Sequence, residues 1–285
     1  RESWWRIMAV KKYRAKKIIS KLLFGILVLV IVIPILFPLY FVLISSFKNM
    51  AQVYIMPPKL FGFKPILDNY IYIFKTQHYG TYMMNSTIVA VASTALSLLL
   101  GVPAAYAIAR YKMGKANTAI LTARLLPNIS ILLPYYFIFS KLRMIDTYGV
   151  LILSHMVLSL PLIVWIMVGF FSDLPLELEE AAIVDGCTRQ KCFKDVLLPI
   201  SAPGLVTCST LSFLGSWNNF QFALILSGEK TRTLPVSLQY FVSGADIRWG
   251  RMLAATIVVI VPTIILTMIL QKYIVQGMTA GAVKG

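Results

Sequence analysis

The chain has 285 residues, of which 58% are hydrophobic and only 13% charged, with a mean hydropathy of +0.77. That composition excludes an ordinary soluble surface and turns most of the chain toward lipid. A formal net charge of +16 would suit nucleic acid, but the Lys and Arg residues sit in short stretches between long apolar runs, so the charge reads as membrane orientation.

Residues 1–21 carry eight Lys and Arg against one acid, which assigns the N-terminal segment to the cytoplasm by the positive-inside rule. Crossing a bilayer takes about 20 apolar residues in a helix. Six runs qualify: 22–46, 87–109, 118–140, 150–171, 205–227 and 252–270. The first run is too long for a signal peptide core, and no small-residue cleavage site follows it, so it is read as a retained helix. The expected fold is therefore all-α, a polytopic membrane protein of six spans over 22–270, with a tail over 271–285 and both termini cytoplasmic.

The stretch 47–86, with Pro57, Pro58, Pro65, Tyr70, Tyr72 and Phe74, is expected to pack on the outer membrane face. Pro34, Pro38, Pro103, Pro127, Pro134, Pro161 and Pro262 fall inside spans and predict local bends. Cys187, Cys192 and Cys208 lack metal-ligand spacing, and His78 and His155 stand far apart, so neither a metal site nor a triad is supported.

Six of the eleven carboxylates fall between Asp173 and Asp195. This loop, 172–204, reads as a helix, a turn and a second helix. Asp173 is placed to cap, Pro175 sits in the first turn, and Glu177, Glu179 and Glu180 favour the positive end of the dipole. Gly186 ends the first helix, Thr188 caps the second, and Pro199 closes it. The small residues Ala181 and Ala182 would allow another surface to approach closely. A lone amphipathic pair lying on the membrane fits the same periodicity.

The spelling is more specific. Glu180-Ala181-Ala182, Gly186 four residues after Ala182, and Val196-Leu197-Leu198-Pro199 after nine more residues resemble the EAA loop of ABC importer permeases. Val196 stands where isoleucine is usual. Asp185-Gly186 and the ending Gly277-Met278-Thr279-Ala280-Gly281-Ala282-Val283-Lys284-Gly285 resemble the carbohydrate branch, of the maltose-permease MalG type. The resemblance implies that Glu180, Ala181, Ala182, Asp185, Gly186, Leu198 and Pro199 form a coupling elbow seated on a separate ATPase. It also implies a second permease, two cytoplasmic ATPase subunits, an extracytoplasmic solute-binding protein and a bacterial inner membrane. No G-x-x-x-x-G-K-[ST] loop occurs in the sequence, so ATP and Mg belong to the partner subunits and this chain is expected to bind no cofactor and to be no enzyme.

An uncharged sugar needs aromatic faces for stacking and amides or hydroxyls to replace its water. Trp217, Asn218, Asn219 and Gln221 in the fifth run offer both, with Tyr135 and Tyr136 as further candidates. Amides that bridge helices would look the same. MalG-type chains often carry an acid where Asn219 stands. Arg124 is the charge inside a span, either reaching toward headgroups or meeting an anionic solute. The alternatives are an ABC permease for a polyol, glycerol phosphate or amino acid, an ion-coupled secondary transporter, and a membrane-embedded enzyme.

Overall fold

The computed structural model describes residues 2–242 and 248–280, and side chains between 17 and 271. Of the ending that completes the family resemblance, 281–285 fall outside these residues. Among the described residues every regular element is helical. Helix α1 (Glu2–Ser46) leads into a loop carrying α2 (Met50–Val53) and α3 (Asp68–Lys75), and α4 (Tyr79–Arg110) runs back. A broken pair, α5 (Gly114–Ala123) and α6 (Asn128–Lys141), precedes α7 (Tyr148–Asp173). The elbow follows as α8 (Glu177–Val184), α9 (Arg189–Cys192), a π-helical turn over Phe193–Leu197, and α10 (Leu198–Ile200). Helices α11 (Ala202–Trp217), α12 (Gln221–Leu226), α13 (Leu234–Ser237) and α14 (Trp249–Ala280) complete the chain.

Four helices are long and apolar enough to cross a membrane, and two bent pairs, α5 with α6 and 189–200 with α11, bring the number up to six. This agrees with the expected all-α, six-span fold. Two runs expected to be continuous are interrupted. Within the third, α5 and α6 meet at 86° across Arg124–Pro127. Pro127 has no N–H to give and disfavours helical backbone at Leu126, so the ladder stops there. The fifth run breaks at Asn218–Phe220, because the side chains of both asparagines take up backbone groups. Asn218 Nδ2 donates to the Leu214 carbonyl at 2.9 Å, and Asn219 Oδ1 accepts the Phe222 N–H at 3.1 Å.

Helices α4 and α7 form the heart of the bundle. A Cβ on Gly101 would lie 3.0 Å from the Ile163 side chain, and one on Gly204 would lie 2.6 Å from the Phe170 ring, so glycine sets how closely α4 and α11 approach α7. A polar seam stitches these three helices where little water reaches. Ser93 donates to Ser216 at 3.1 Å, Ser216 pairs with His155 Nδ1 at 2.7 Å, and Thr94 meets Ser212 at 3.2 Å. Such hydrogen bonds hold helices together in lipid, where apolar burial supplies no driving force between them.

At the end of the bundle away from the elbow, side chains clamp the backbone of the segment 227–234. Asp146 Oδ1 accepts the N–H of Gly228 at 2.8 Å, the N–H of Thr231 at 3.0 Å and the Thr231 hydroxyl at 2.8 Å, while Oδ2 accepts the Lys230 N–H at 3.2 Å. Asn85 donates to the carbonyls of Lys230 and Arg232 and accepts the Tyr148 hydroxyl at 2.6 Å. Ser86 accepts the Leu234 N–H at 2.9 Å. Burial alone would raise the Asp146 carboxyl, but the Thr231 hydroxyl and the N–H groups of Thr231, Gly228 and Lys230 outweigh it and hold the group below the usual carboxylate range.

Candidate functional site: the elbow and the broken spans

Helix α7 stops at Asp173 because Pro175 follows, which forces Leu174 into extended backbone at ψ 129°. Asp173 is therefore the last residue of α7, and the N-cap position of α8 falls instead on Leu176, which makes no side-chain cap bond. Helix α8 opens with Glu177, Glu179 and Glu180 in its first turn, where the dipole favours acids. Its C-terminus is closed by a Schellman motif. Gly186 takes φ +86° and donates to the Ile183 carbonyl at 2.9 Å, while Cys187 donates to Ala182 at 2.9 Å. Thr188 then caps α9, accepting the Lys191 N–H at 3.3 Å. Leu198 and Pro199 lie inside α10, and the chain turns by 77° into α11 just after them.

The elbow has an inner and an outer face. Inward, Ala182, Cys192 and Leu197 are buried in one cluster with Met167 and Phe171 of α7 and Val102, Ala105 and Ile108 of α4. Outward, Glu180, Ala181, Ile183, Asp185 and Gly186 are exposed, and Val184 is 86% exposed. A bare valine beside small and acidic residues makes an apolar surface with a charged margin, which calls for a covering partner.

Contacts that sequence reasoning missed attach the elbow to α4. Glu179 forms an ion pair with Arg110 and accepts the Tyr106 hydroxyl at 2.9 Å. Tyr106 also stands edge-on to Phe171 at 5.7 Å and tilted on Phe193 at 5.0 Å. Glu179 lies beside the quoted motif, but nothing local in the sequence points to a partner 69 residues away.

The candidates for a solute path separate into groups. Trp217 is only 3% exposed, stacks with Phe213 at 5.8 Å and donates Nε1–H to the Val259 carbonyl of α14 at 3.1 Å. Its position is that of a helix-bridging residue. Asn218 and Gln221 are exposed on either side of the break, and Asn219 is half-buried two residues before α12, where its Oδ1 accepts the Phe222 N–H. Tyr135 is joined to this region through Phe222, edge-on at 6.0 Å, whereas Tyr136 is exposed beside Phe137. Arg124 lies apart from them at the other break, with its guanidinium 5.7 Å from the Trp165 ring centroid, in an open groove of about 530 Å³ that also includes Thr118 and Thr122. Among the described residues no cluster of His, Cys, Asp or Glu could hold a metal ion.

Long apolar helices, two broken spans and a polar elbow packed against the bundle define a multi-pass membrane permease. Residues 6–280 match the family of binding-protein-dependent transport system inner membrane components, and the chain belongs to that family. It is 37% identical over 248 residues to the sulfoquinovosyl glycerol transport system permease protein SmoH of Agrobacterium fabrum, covering 86% of this chain and 87% of that one. With the trehalose/maltose transport system permease protein MalG of Thermococcus litoralis it shares 38% identity over 235 residues, covering 79% and 84%. A solved bacterial ABC transporter involved in the import of the acidic polysaccharide alginate has the same fold, with a TM-score of 0.77 at 19% identity over 90% of this chain and 96% of that one. The chain is accordingly a membrane permease subunit of an ABC importer.

Proposed function

We propose that this permease forms half of the path for a sugar or oligosaccharide across a bacterial inner membrane, with both termini in the cytoplasm. A second permease supplies the other half, an extracytoplasmic binding protein delivers the solute, and two ATPase subunits carry ATP and Mg. The observation that carries the reading is the two-faced elbow: an inner face locked into the bundle, and an outer face of Glu180, Ala181, Ile183, Val184 and Asp185 left bare. A partner that moves on ATP binding and seats on that face would swing α7 and α11 with it, because the elbow's chain ends run into both. The carbohydrate relatives support the solute class.

Solute contacts are assigned to Asn218 and Gln221 at one break and to Arg124 with Trp165 at the other, where an acidic sugar would meet its counter-charge. Irregular backbone at membrane depth is tolerated where protein buries it or a wet cavity runs alongside, which supports breaks that line a path. The test is the full complex in vesicles, with uptake and ATP hydrolysis followed over a panel of neutral and acidic saccharides. Carbohydrate-stimulated hydrolysis with uptake is expected; stimulation only by amino acids or polyols would overturn the solute class. Orientation is read in a background lacking Cys187, Cys192 and Cys208. Cysteines at Asp68 and Thr188 should react with an impermeant thiol reagent from opposite sides of the membrane.

A further inference from the structure

Two adjacent carboxylates of the elbow differ in exposure, although both line a small pocket of about 190 Å³ beside the end of α4. Glu180 is exposed on the bare face. Glu179 turns into the bundle, where its ion pair with Arg110 leaves the side chains only 14% and 10% exposed. Arg110 is the last residue of α4, and its Nη1 also donates to the carbonyl of Leu174, the C-cap of α7, at 3.3 Å. One guanidinium thus joins the ends of α4 and α7 to the first turn of α8. The second arm is tied to the same place, since Arg189 of α9 donates to the hydroxyl of Tyr111, the C-cap of α4, at 3.2 Å.

Covalently the elbow continues into α7 and α11, and nothing in the chain path links it to α4. Its link to α7 passes through extended Leu174 and Pro175, outside the helical hydrogen-bond ladder. A guanidinium–carboxylate pair is directional, and one removed from water separates only at high cost, so the elements it joins move together. We propose that Glu179 and Arg110 form a strut that carries elbow displacement into α4, which leaves Glu180 as the carboxylate that faces the ATPase. Helix α4 also bears Asn85 and Ser86, which grip the segment 227–234 about 35 Å further along the helix. The strut therefore connects the ATPase side of the permease to the clamp at its other end. This inference rests on the importer reading above, and Glu179, Arg110 and Tyr106 act in it as positioning residues.

The test compares wild type, Glu179→Gln, Arg110→Lys and Glu180→Ala in reconstituted complexes at matched yield. The readouts are ATPase co-purification, ATP hydrolysis and solute delivered per ATP consumed. Glu179→Gln should retain its ATPase subunits and continue to hydrolyse ATP, while delivery per ATP falls about tenfold, the size expected when a coupling contact is lost. Arg110→Lys, which keeps the charge but loses the fork, should fall between it and wild type. Glu180→Ala should instead lower the share of ATPase that co-purifies, without lowering delivery per ATP in the complexes that remain. Because a buried pair also supports folding, a second arm uses Glu179→Cys with Arg110→Cys in the background without native cysteines. Joining the two thiols with a short bismaleimide should raise delivery per ATP over the unjoined pair. Wild-type delivery per ATP by Glu179→Gln, or equal delivery by joined and unjoined thiols, would overturn the strut. A wild-type complex without solute-stimulated hydrolysis would instead overturn the importer reading beneath it.

Discussion

At the clamped end of the bundle, Asp146, Asn85 and Ser86 hold the segment 227–234 through bonds to its backbone. At the elbow end, the attachment to α4 runs mainly between side chains, and the outer face stays bare. Backbone-directed bonds fix the shape of a segment whatever its side chains, so the clamped end behaves as a frame. A side-chain pair between separate helices fixes only how those helices move relative to each other. Damage at the first end should therefore appear as lost stability, and damage at the second as lost coupling.

The largest stability effect is expected at the clamp. Asp146→Ala leaves three backbone N–H groups and the Thr231 hydroxyl without their acceptor and should cost about 3 kcal/mol. The measurement is thermal unfolding of the purified permease, and an unchanged midpoint would remove the contrast between the ends. Asp146→Asn keeps one acceptor oxygen and should lose less. The same carboxylate sets an acid dependence. Its folded value lies below the ordinary 3.8, so its contribution is full above that pH and is lost as pH falls through the lower folded value. Denaturation below pH 4 should accordingly be shallower in Asp146→Asn.

Gly186→Val is expected to cost less stability, about 1–2 kcal/mol, yet to disable transport. A Cβ at Gly186 would meet nothing within 4 Å, so the cost in the free subunit comes from φ +86° alone. Asparagine tolerates that region better, and Gly186→Asn should recover much of the loss. If Gly186→Val couples as wild type does, the left-handed turn has no part in docking.

The smallest effect on the free permease belongs to Glu180→Ala. The side chain is exposed, so stability should change by no more than about 0.5 kcal/mol. Retention of the ATPase should weaken by about 1 kcal/mol or less if the contact stays near water. Salt titration of complex assembly checks this, because removing a charge pair flattens the dependence on ionic strength. A melting shift as large as that of Asp146→Ala would place Glu180 inside the frame and erase the difference between the neighbouring glutamates.

Much of the molecule was legible in the amino-acid order. Runs of about 20 apolar residues report the solvent a helix must face, and this holds whatever packs beside it. The elbow was legible for a similar reason. A left-handed stop at Gly186 and a cap at Thr188 are short-range events, completed within a few residues. Pro127 marked where the third run bends, although not by how much. The break in the fifth run was missed, because Asn218 and Asn219 can equally face solute, a neighbouring helix or their own backbone, and their bonds go chiefly to the last.

Sequence alone determined the helical class, the spans, the elbow and its stop, since each depends on periodicity, length or a local turn. Tertiary structure alone decided that Glu179 pairs with Arg110 while Glu180 stays exposed, that Trp217 bridges to α14, and that Asp146 grips a segment more than 80 residues away. Those choices depend on which helices come to lie side by side, and at Gly101 and Gly204 α4 and α11 approach α7 closely enough to crowd a Cβ. Local patterning carries no information about which distant group will fill the space that such close packing leaves.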